Sequence, residues 1–323
     1  MRLSPVGNKK IQQTEHLDYF FGGTELNVAA SLANLGMEVK LISNLSNDII
    51  GEVALMKIKN YGIEISHINF VDHPLGLYFL EVGASMRPSK IAYNRLNGAF
   101  SKMEPEMVDW NDCLNDADLF HWTGISPGIS NGAYQTLKEG LVLAKARGVS
   151  ITTDPTYRKN LWNYGIEGAT ILRELVSYST IFIGGVNEIN ELLGSSYDTG
   201  KEGFVKASKA LKSAYPAIIK IFDKVRLQGN SSWQQIFGRA WIDGQYVETQ
   251  KIDISHVVDR IGAGDAFAAG LIYGLQHFDD ARALSIGNAA CALKHTIVGD
   301  VNLVSLDEIV EVEKGDLTGR IKR

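Results

Sequence analysis

Cysteine is scarce in this sequence: the chain of 323 residues contains 2, Cys113 and Cys291. They are too far apart to form a metal-binding or redox motif, and so few cysteines are typical of a reducing compartment. The 7 histidines form no HExxH or paired-ligand pattern. These absences argue against a zinc enzyme and against a disulfide-stabilised secreted domain.

Long apolar runs and basic clusters are also missing. No uninterrupted apolar stretch reaches the roughly 18 residues that span a bilayer, and the N-terminus lacks the apolar core of a signal peptide. Lys and Arg number 32 against 37 Asp and Glu, which gives a formal net charge of −5. We therefore expect a cytoplasmic protein that binds neither membrane nor nucleic acid.

The pattern that is present alternates short β-rich runs with helical segments. Hydrophobic residues make up 45% of the chain and charged residues 21%, a balance that permits a large core. The predicted strands and helices after residue 116 alternate as 119–123, 131–146, 149–153, 170–177, 180–183 and 188–193. This alternation predicts an α/β fold with a parallel sheet covered by helices on both faces.

Two regions differ from this alternation. The runs 75–82 and 90–95 are β-rich with no helix between them, which predicts a small antiparallel insertion. Near the C-terminus, 217–222, 235–242 and 245–249 predict an antiparallel edge, followed by helices over 265–276 and 281–296. At the N-terminal end, the pattern predicts a helix over 25–35, a strand over 39–43, a helix over 51–60 and a strand over 68–71.

The most informative segment places two glycines and an acid at the start of a helix: Gly262, Ala263, Gly264 and Asp265. Glycines let backbone N–H groups converge on phosphate oxygens, and the helix dipole favours negative charge there. Asp265 in the first turn could then accept a proton from an alcohol beside those phosphates. The alternative is a tight turn in which Asp265 only caps the helix.

Two motifs together resemble the signatures of the ribokinase-like (PfkB) sugar kinases. The segment from Asp259 to Asp265 matches D-x-x-G-A-G-D, and Gly22-Gly23 followed by Asn27 matches the N-terminal signature. The resemblance implies one domain over 1–323, a three-layer α/β/α sandwich with a mostly parallel central sheet, and a small β lid formed by about 8–21 and 72–97. It also implies ATP and Mg²⁺, with Asp265 as the base and Gly262 to Gly264 around the phosphate.

Within that family, the segments 76–79, 88–90, 93–95 and 154–162 resemble the 2-keto-3-deoxygluconate kinases. The resemblance implies that this sugar acid is phosphorylated to its 6-phosphate. It implies that seven residues bind the substrate. Gly22, Gly23 and Asn27 would contact its hydroxyls, Tyr78 and Tyr93 would line the pocket, and Arg95 and Arg158 would face its carboxylate. An arginine fork matches a carboxylate bidentately. The alternatives are that these are strand aromatics and surface charges, and that the substrate is another sugar such as fructose.

Further family positions imply nucleotide and metal contacts. The resemblance assigns cofactor binding to Thr156, Asn187, Lys220 and Asn288, in addition to Gly262 and Gly264. Glu188 or Glu191 would organise Mg²⁺ through water, although a single Glu is more often exposed on a helix. Asp259 would help to hold a monovalent cation such as K⁺; a turn or capping role is equally compatible with the sequence.

Three departures from the family pattern motivate a second hypothesis. The chain begins after the segment where the family has a first strand, 220–226 replaces the family's K-x-G-x-x-G turn, and Thr156 replaces an Asn. A ribokinase-fold binding protein without catalysis is therefore the alternative. A dinucleotide dehydrogenase is disfavoured because the third glycine of GxGxxG is absent, and a P-loop kinase because GxxxxGK[ST] is absent. Exposed lid strands predict a homodimer, or a higher oligomer, through the lid.

Overall fold

The computed structural model describes residues 1–158, 160–165 and 167–319; Lys159, within the predicted sugar-acid motif, lies outside them. The strands are β1 (Arg2–Ser4), β2 (Asp18–Phe20), β3 (Ser43–Ser46), β4 (Ile68–Val71), β5 (Leu77–Glu81), β6 (Lys90–Asn94), β7 (Leu119–Thr123), β8 (Ser150–Asp154), β9 (Ile181–Ile183), β10 (Lys220–Gln228), β11 (Gln234–Ile242), β12 (Gln245–Glu248) and β13 (Ile252–Ile254).

The helices are α1 (Thr24–Asn34), α2 (Ile49–Asn60), α3 (Trp110–Cys113), α4 (Ser126–Ile129), α5 (Asn131–Arg147), α6 (Gly168–Val176), α7 (Val186–Leu193), α8 (Lys201–Ala214), α9 (Ala263–His277), α10 (Asp280–Lys294) and α11 (Leu306–Glu313). Single 3₁₀ turns occupy Ile11–Gln13, Ala99–Lys102 and Pro105–Met107. None of the helices described combines the length and the apolar character needed to cross a membrane.

The main sheet has the strand order β12-β11-β10-β9-β8-β7, with β13 paired to β11. Strands β7 to β10 are parallel to one another, and β11 to β13 add the predicted antiparallel edge. Successive residues of β9 face opposite cores: Ile181 and Ile183 pack with α1, α9 and α10, whereas Phe182 packs with α5 to α8. Helices therefore cover both faces, which confirms the three-layer α/β/α sandwich.

A second, four-stranded sheet has the order β2-β1-β5-β6. Strands β5 and β6 are antiparallel, with Tyr78 opposite Tyr93, which confirms the predicted antiparallel pair. The N-terminal strand β1 runs parallel to β5 and antiparallel to β2. The sheet thus combines the two stretches that were predicted to form the lid.

Strands β3 and β4 form a separate parallel pair. The strand predicted over 39–43 was placed too early, because residues before Ser43 contribute only an isolated bridge between Lys40 and Glu64. The strand predicted over 217–222 was also misplaced. Residue Ile218 donates its N–H to the carbonyl of Tyr215 in a turn, and β10 then continues to Gln228 because it pairs with β11 along its whole length.

Helices α9 and α10 pack closely because glycines face alanines. A Cβ atom on Gly270 would lie 2.8 Å from the Cβ of Ala290, and one on Gly274 would lie 2.5 Å from the Cα of Ala283. The small-residue character predicted for the first of these helices therefore allows its backbone to approach α10. This contact joins the middle and the C-terminal half of α9 to α10.

Candidate active site

A cavity of about 670 Å³ lies where the loop before α1, the start of α9 and the four-stranded sheet meet. It includes the predicted substrate residues Gly22, Gly23, Asn27, Tyr78, Tyr93, Arg95 and Arg158. It also includes Gly262, Ala263, Gly264, Asp265, Thr156 and Glu188. The N-terminal and C-terminal motifs, more than 230 residues apart in sequence, therefore form two walls of one cavity.

The start of α9 has the geometry of an anion site. Gly262 adopts the left-handed conformation with φ of +79°, and no side chain caps the helix. A Cβ atom at this position would lie 1.8 Å from the carbonyl oxygen of Asp300, so only glycine fits. The first N–H groups of the helix consequently face the cavity without a side-chain acceptor, where an anionic oxygen can accept from them.

Asp265 lies in the first turn of this helix and contacts the N-terminal motif directly. Its Oδ2 accepts a hydrogen bond of 2.7 Å from Nδ2 of Asn27, on α1. The Oδ1 of Asn27 accepts in turn from the N–H of Gly23, at 3.4 Å. Asn27 therefore connects the glycine loop to the carboxylate on the opposite wall.

Burial raises the pKa of Asp265 to about 7, because the charged carboxylate loses hydration. The Asn27 hydrogen bond lowers this pKa, while the nearby carboxylates of Asp154 and Glu25 raise it and the Lys224 ammonium lowers it. A carboxyl group with this pKa changes its protonation state near neutral pH. It is therefore suited to exchange a proton with an alcohol at ordinary pH.

The four-stranded sheet contributes aromatic and basic side chains to the cavity. The Arg95 guanidinium lies 4.2 Å from the centre of the Tyr93 ring, and its buried Nε has no hydrogen-bond partner. Burial lowers the pKa of Arg95, and the positive charge of Arg158 lowers it further. Two cations at one side of the cavity, one of them incompletely paired, favour an anionic ligand.

Tyr78 occupies the junction between this sheet and the anion loop. Its hydroxyl donates to Oδ2 of Asp300, and its ring centre lies 5.9 Å from that of Tyr93. Gly22 must be glycine here, since a Cβ atom would lie 2.4 Å from the same Asp300 oxygen. Asp300, which the sequence analysis did not select, therefore lies against three predicted site segments, at Gly22, Tyr78 and Gly262.

Several predicted cofactor residues lie outside the described cavity wall. Lys220 pairs with Asp280 at 2.6 Å, and the amide of Asn288 donates to the carbonyl of Gln250. Asn187 and Glu191 are exposed on α7. Asp259 is buried behind the anion loop, where its carboxylate contacts Arg2, Gly299 and Ile261.

Other residues of the cavity were not selected from the sequence. Lys224, on β10, extends its Nζ to 3.7 Å from the position of a Cβ atom on Gly264. Glu25 accepts at Oε1 from the hydroxyls of Thr123 and Ser126, at 2.9 and 2.6 Å. The Asn-to-Thr departure at Thr156 is accommodated locally, because its hydroxyl and N–H both donate to Asp154.

Comparison with known proteins agrees with this geometry. The family model described as pfkB family carbohydrate kinase matches residues 2–305. The chain is a member of the pfkB carbohydrate kinase family. This carbohydrate kinase is 26% identical over 321 residues to a 2-dehydro-3-deoxygalactonokinase of Haloferax volcanii, which covers 99% of this chain and 95% of the relative.

Two further relatives carry a similar description. A 2-dehydro-3-deoxygluconokinase of Bacillus subtilis is 27% identical over 307 residues, covering 91% of this chain and 89% of the relative. The crystal structure of a 2-dehydro-3-deoxygluconokinase from Thermotoga maritima superposes with a TM-score of 0.92 at 33% identity, covering 97% and 96% of the two chains. The carbohydrate kinase fold therefore extends over nearly the whole chain.

In this carbohydrate kinase, the segment that replaces the family's nucleotide turn is part of a strand. Residues 220–226 lie in β10, paired continuously with β11. Lys224 and Arg226 of this strand line the cavity, together with Arg260 from the loop before α9. The segment that departs from the family pattern thus contributes cationic side chains to the cavity.

Proposed function

We propose that this kinase transfers the γ-phosphoryl group of ATP to the 6-hydroxyl of a 2-keto-3-deoxy sugar acid, with 2-keto-3-deoxygluconate as the substrate. One observation carries the proposal: the Asp265 carboxylate at the anion-binding helix start is hydrogen-bonded to Asn27, in a cavity that also contains Arg95 and Arg158. The names of the three relatives support the same substrate class.

In the proposed reaction the sugar-acid carboxylate binds to Arg95 and Arg158, and this contact orients the distal hydroxyl toward Asp265. The hydroxyl oxygen attacks the γ-phosphorus in line while its proton passes to the Asp265 carboxylate. The bond from phosphorus to the bridging oxygen breaks, and ADP leaves. The N–H groups at the start of α9 and the Lys224 ammonium stabilise the negative charge on the transferring group.

The residues of the cavity fit a magnesium ion that is carried in with ATP. Among the residues described, no three His, Cys, Asp or Glu side chains are grouped to hold a metal ion. Asp154 and Glu188 both line the cavity, where burial, and to a smaller extent the negative charge of Glu188, raises the pKa of Asp154 to about 6. Mg²⁺ typically needs only one or two carboxylates beside substrate phosphates, so these two would hold it. When bound, it supplies positive charge beside the phosphates.

We also propose that the four-stranded sheet is a lid within one kinase domain. Its residues Tyr78, Ile91 and Tyr93 contribute to the cavity wall. Closure of this sheet over bound substrate would exclude water and so reduce wasteful hydrolysis of ATP.

The test is ADP release measured over a panel of sugar acids and neutral sugars, with the wild type and Asp265→Asn. We expect turnover with 2-keto-3-deoxygluconate, weaker use of fructose, and a fall in kcat of roughly 10²- to 10⁴-fold in Asp265→Asn. Calorimetry should show that the variant still binds the sugar acid.

Asp253→Asn is the matched control, because Asp253 is exposed on β13 away from the cavity. Equal turnover of fructose and the sugar acid would contradict the role of the arginines, and near-normal turnover by Asp265→Asn would contradict its role as base. Binding of sugar acid and ATP analogue by the wild type without ADP release would identify a non-catalytic binding protein.

A further inference from the structure

A cluster of four buried charges lies directly behind the anion loop. Arg2, Asp259, Lys294 and Asp300 are exposed by only 1%, 3%, 0% and 3%. Two carboxylates and two cations balance one another, so the cluster is electrically neutral without an added ion. Charges buried this completely are retained at a large desolvation cost unless they are paired, which makes their arrangement informative.

Arg2 connects the carboxylates of this cluster. Its guanidinium donates to Oδ2 of Asp259 at 2.7 Å and lies 2.9 Å from Oδ1 of Asp300, the latter without the alignment of a hydrogen bond. The guanidinium also lies 4.2 Å from the centre of the Phe20 ring on β2. Both oxygens of the Asp259 carboxylate thus accept hydrogen bonds, from Arg2, Ile261 and Gly299.

The Lys294 ammonium instead contacts main-chain carbonyls. At the end of α10, its Nζ donates to the carbonyl oxygen of Ile297 at 3.1 Å and to that of Asp259 at 3.4 Å. Carbonyl oxygens beside carboxylates form the environment that replaces the hydration shell of a potassium ion. Burial lowers the pKa of Lys294, while the carboxylates of Asp259 and Asp300 oppose that shift and favour the charged ammonium.

We propose that the Lys294 ammonium is a built-in monovalent cation that positions the anion loop, so that this kinase requires no potassium ion. The proposal rests on the proposed function, because the loop that it positions is the one assigned to the phosphate. A potassium ion beside Asp259, as the family resemblance implies, does not fit these residues, since the ammonium already binds the Asp259 carbonyl.

The contacts show how Lys294 acts on the phosphate site. The carbonyl of Asp259 is held by Lys294, and its carboxylate accepts from the N–H of Ile261. Gly262 follows immediately, in a left-handed conformation and packed against the Asp300 carbonyl. Lys294 is therefore a positioning residue: it fixes the backbone from which the Gly262 to Gly264 amides approach the phosphate.

The test compares monovalent cations. In choline chloride, potassium chloride or ammonium chloride of equal ionic strength, the wild type should retain its kcat/KM for ATP within about twofold. Lys294→Ala, which opens a space of ammonium size, should lose at least about tenfold in choline and recover in potassium or ammonium. Lys294→Met should lose activity without recovery, because its side chain fills the same space.

Thermal unfolding supplies a readout independent of turnover. Potassium and ammonium should raise the melting temperature of Lys294→Ala relative to choline, and should leave the wild type and Lys138→Ala unchanged. Lys138 is a suitable control because it pairs with Glu174 on the far side of the main sheet. If Lys294→Ala does not fold, the wild type alone still tests the proposal. A wild-type kcat/KM for ATP that is lower by tenfold or more in choline than in potassium overturns it.

The outcomes also separate this proposal from the proposed function. If no sugar acid is phosphorylated, the proposed function fails, whereas the cation-dependent melting of Lys294→Ala still tests the built-in cation. If the wild type turns over but Lys294→Ala responds to potassium neither in rate nor in melting temperature, the built-in cation is refuted and the kinase assignment stands.

Discussion

Asn27 acts on the proton affinity of Asp265 through a single hydrogen bond. Its amide stabilises the ionised form of Asp265, whose pKa burial raises to about 7. A general base must be ionised to act, so kcat/KM should rise with pH and level off above this pKa. Asn27→Ala removes a contact that lowers the pKa of Asp265, and the rising limb should therefore move to higher pH.

The measurement is a pH profile of kcat/KM for both proteins. Asn34→Ala is the matched control, because Asn34 also lies on α1 but donates to the carbonyl of Val304, away from the cavity. Its rising limb should coincide with that of the wild type. A limb of Asn27→Ala that is unchanged or moves to lower pH would contradict the role assigned to this hydrogen bond.

Residues within short motifs were predictable from the sequence, whereas single cations on strands were not. Gly22, Asn27 and Asp265 line the cavity as expected, because loop and helix-start geometry is set locally. Lys220 was assigned to the nucleotide, yet the lysine of this strand that lines the cavity is Lys224. Four residues along a strand correspond to about 13 Å, so the choice depends on where the strand ends relative to the cavity.

The start of α9 depends on the conformation of Gly262, its N-cap residue. Its φ of +79° disfavours any residue with a side chain, and the Asp300 carbonyl oxygen would lie 1.8 Å from a Cβ atom there. Gly262→Ala should therefore reduce the free energy of unfolding by the strain of a left-handed alanine plus the cost of displacing Asp300. We expect about 2 kcal/mol more destabilisation than at a left-handed glycine without a neighbour.

Gly315 is such a glycine, with φ of +92° and no atom within 4 Å of its Cβ position. Gly315→Ala should cost only about 1 to 2 kcal/mol. Urea unfolding of both variants gives the comparison. Equal losses would show that the Asp300 carbonyl moves away easily and does not constrain the anion loop.

Elements with strong periodicity were predictable, and short strands with distant partners were not. The strands β4 and β7 were predicted with their observed bounds, and α5 within one residue of its C-terminal end. Strands β1 and β2 contain three residues each, too few to show an alternating pattern. Since β1 pairs with β5, some 75 residues away, its existence depends on tertiary contacts that no local pattern contains.

The four-stranded sheet that we propose as the lid has apolar side chains that the described residues of this chain leave exposed. Strand β6 is the last strand of its sheet, and all five of its residues are exposed. Ile91 and Tyr93 on this strand are exposed by 41% and 53%, and Tyr19 on β2 by 58%. An uncovered edge strand with apolar side chains favours association with a second copy.

We therefore expect a homodimer in which two lid sheets cover one another, and Ile91→Lys should prevent it. A lysine at this position places a charge in the contact, so light scattering at micromolar concentration should show a dimer for the wild type and a monomer for the variant.

Val142→Lys is the matched control, because Val142 on α5 is similarly exposed, at 47%, but lies far from the lid. A monomeric wild type would contradict the homodimer, and an Ile91→Lys variant that remains a dimer would show that Ile91 lies outside the contact.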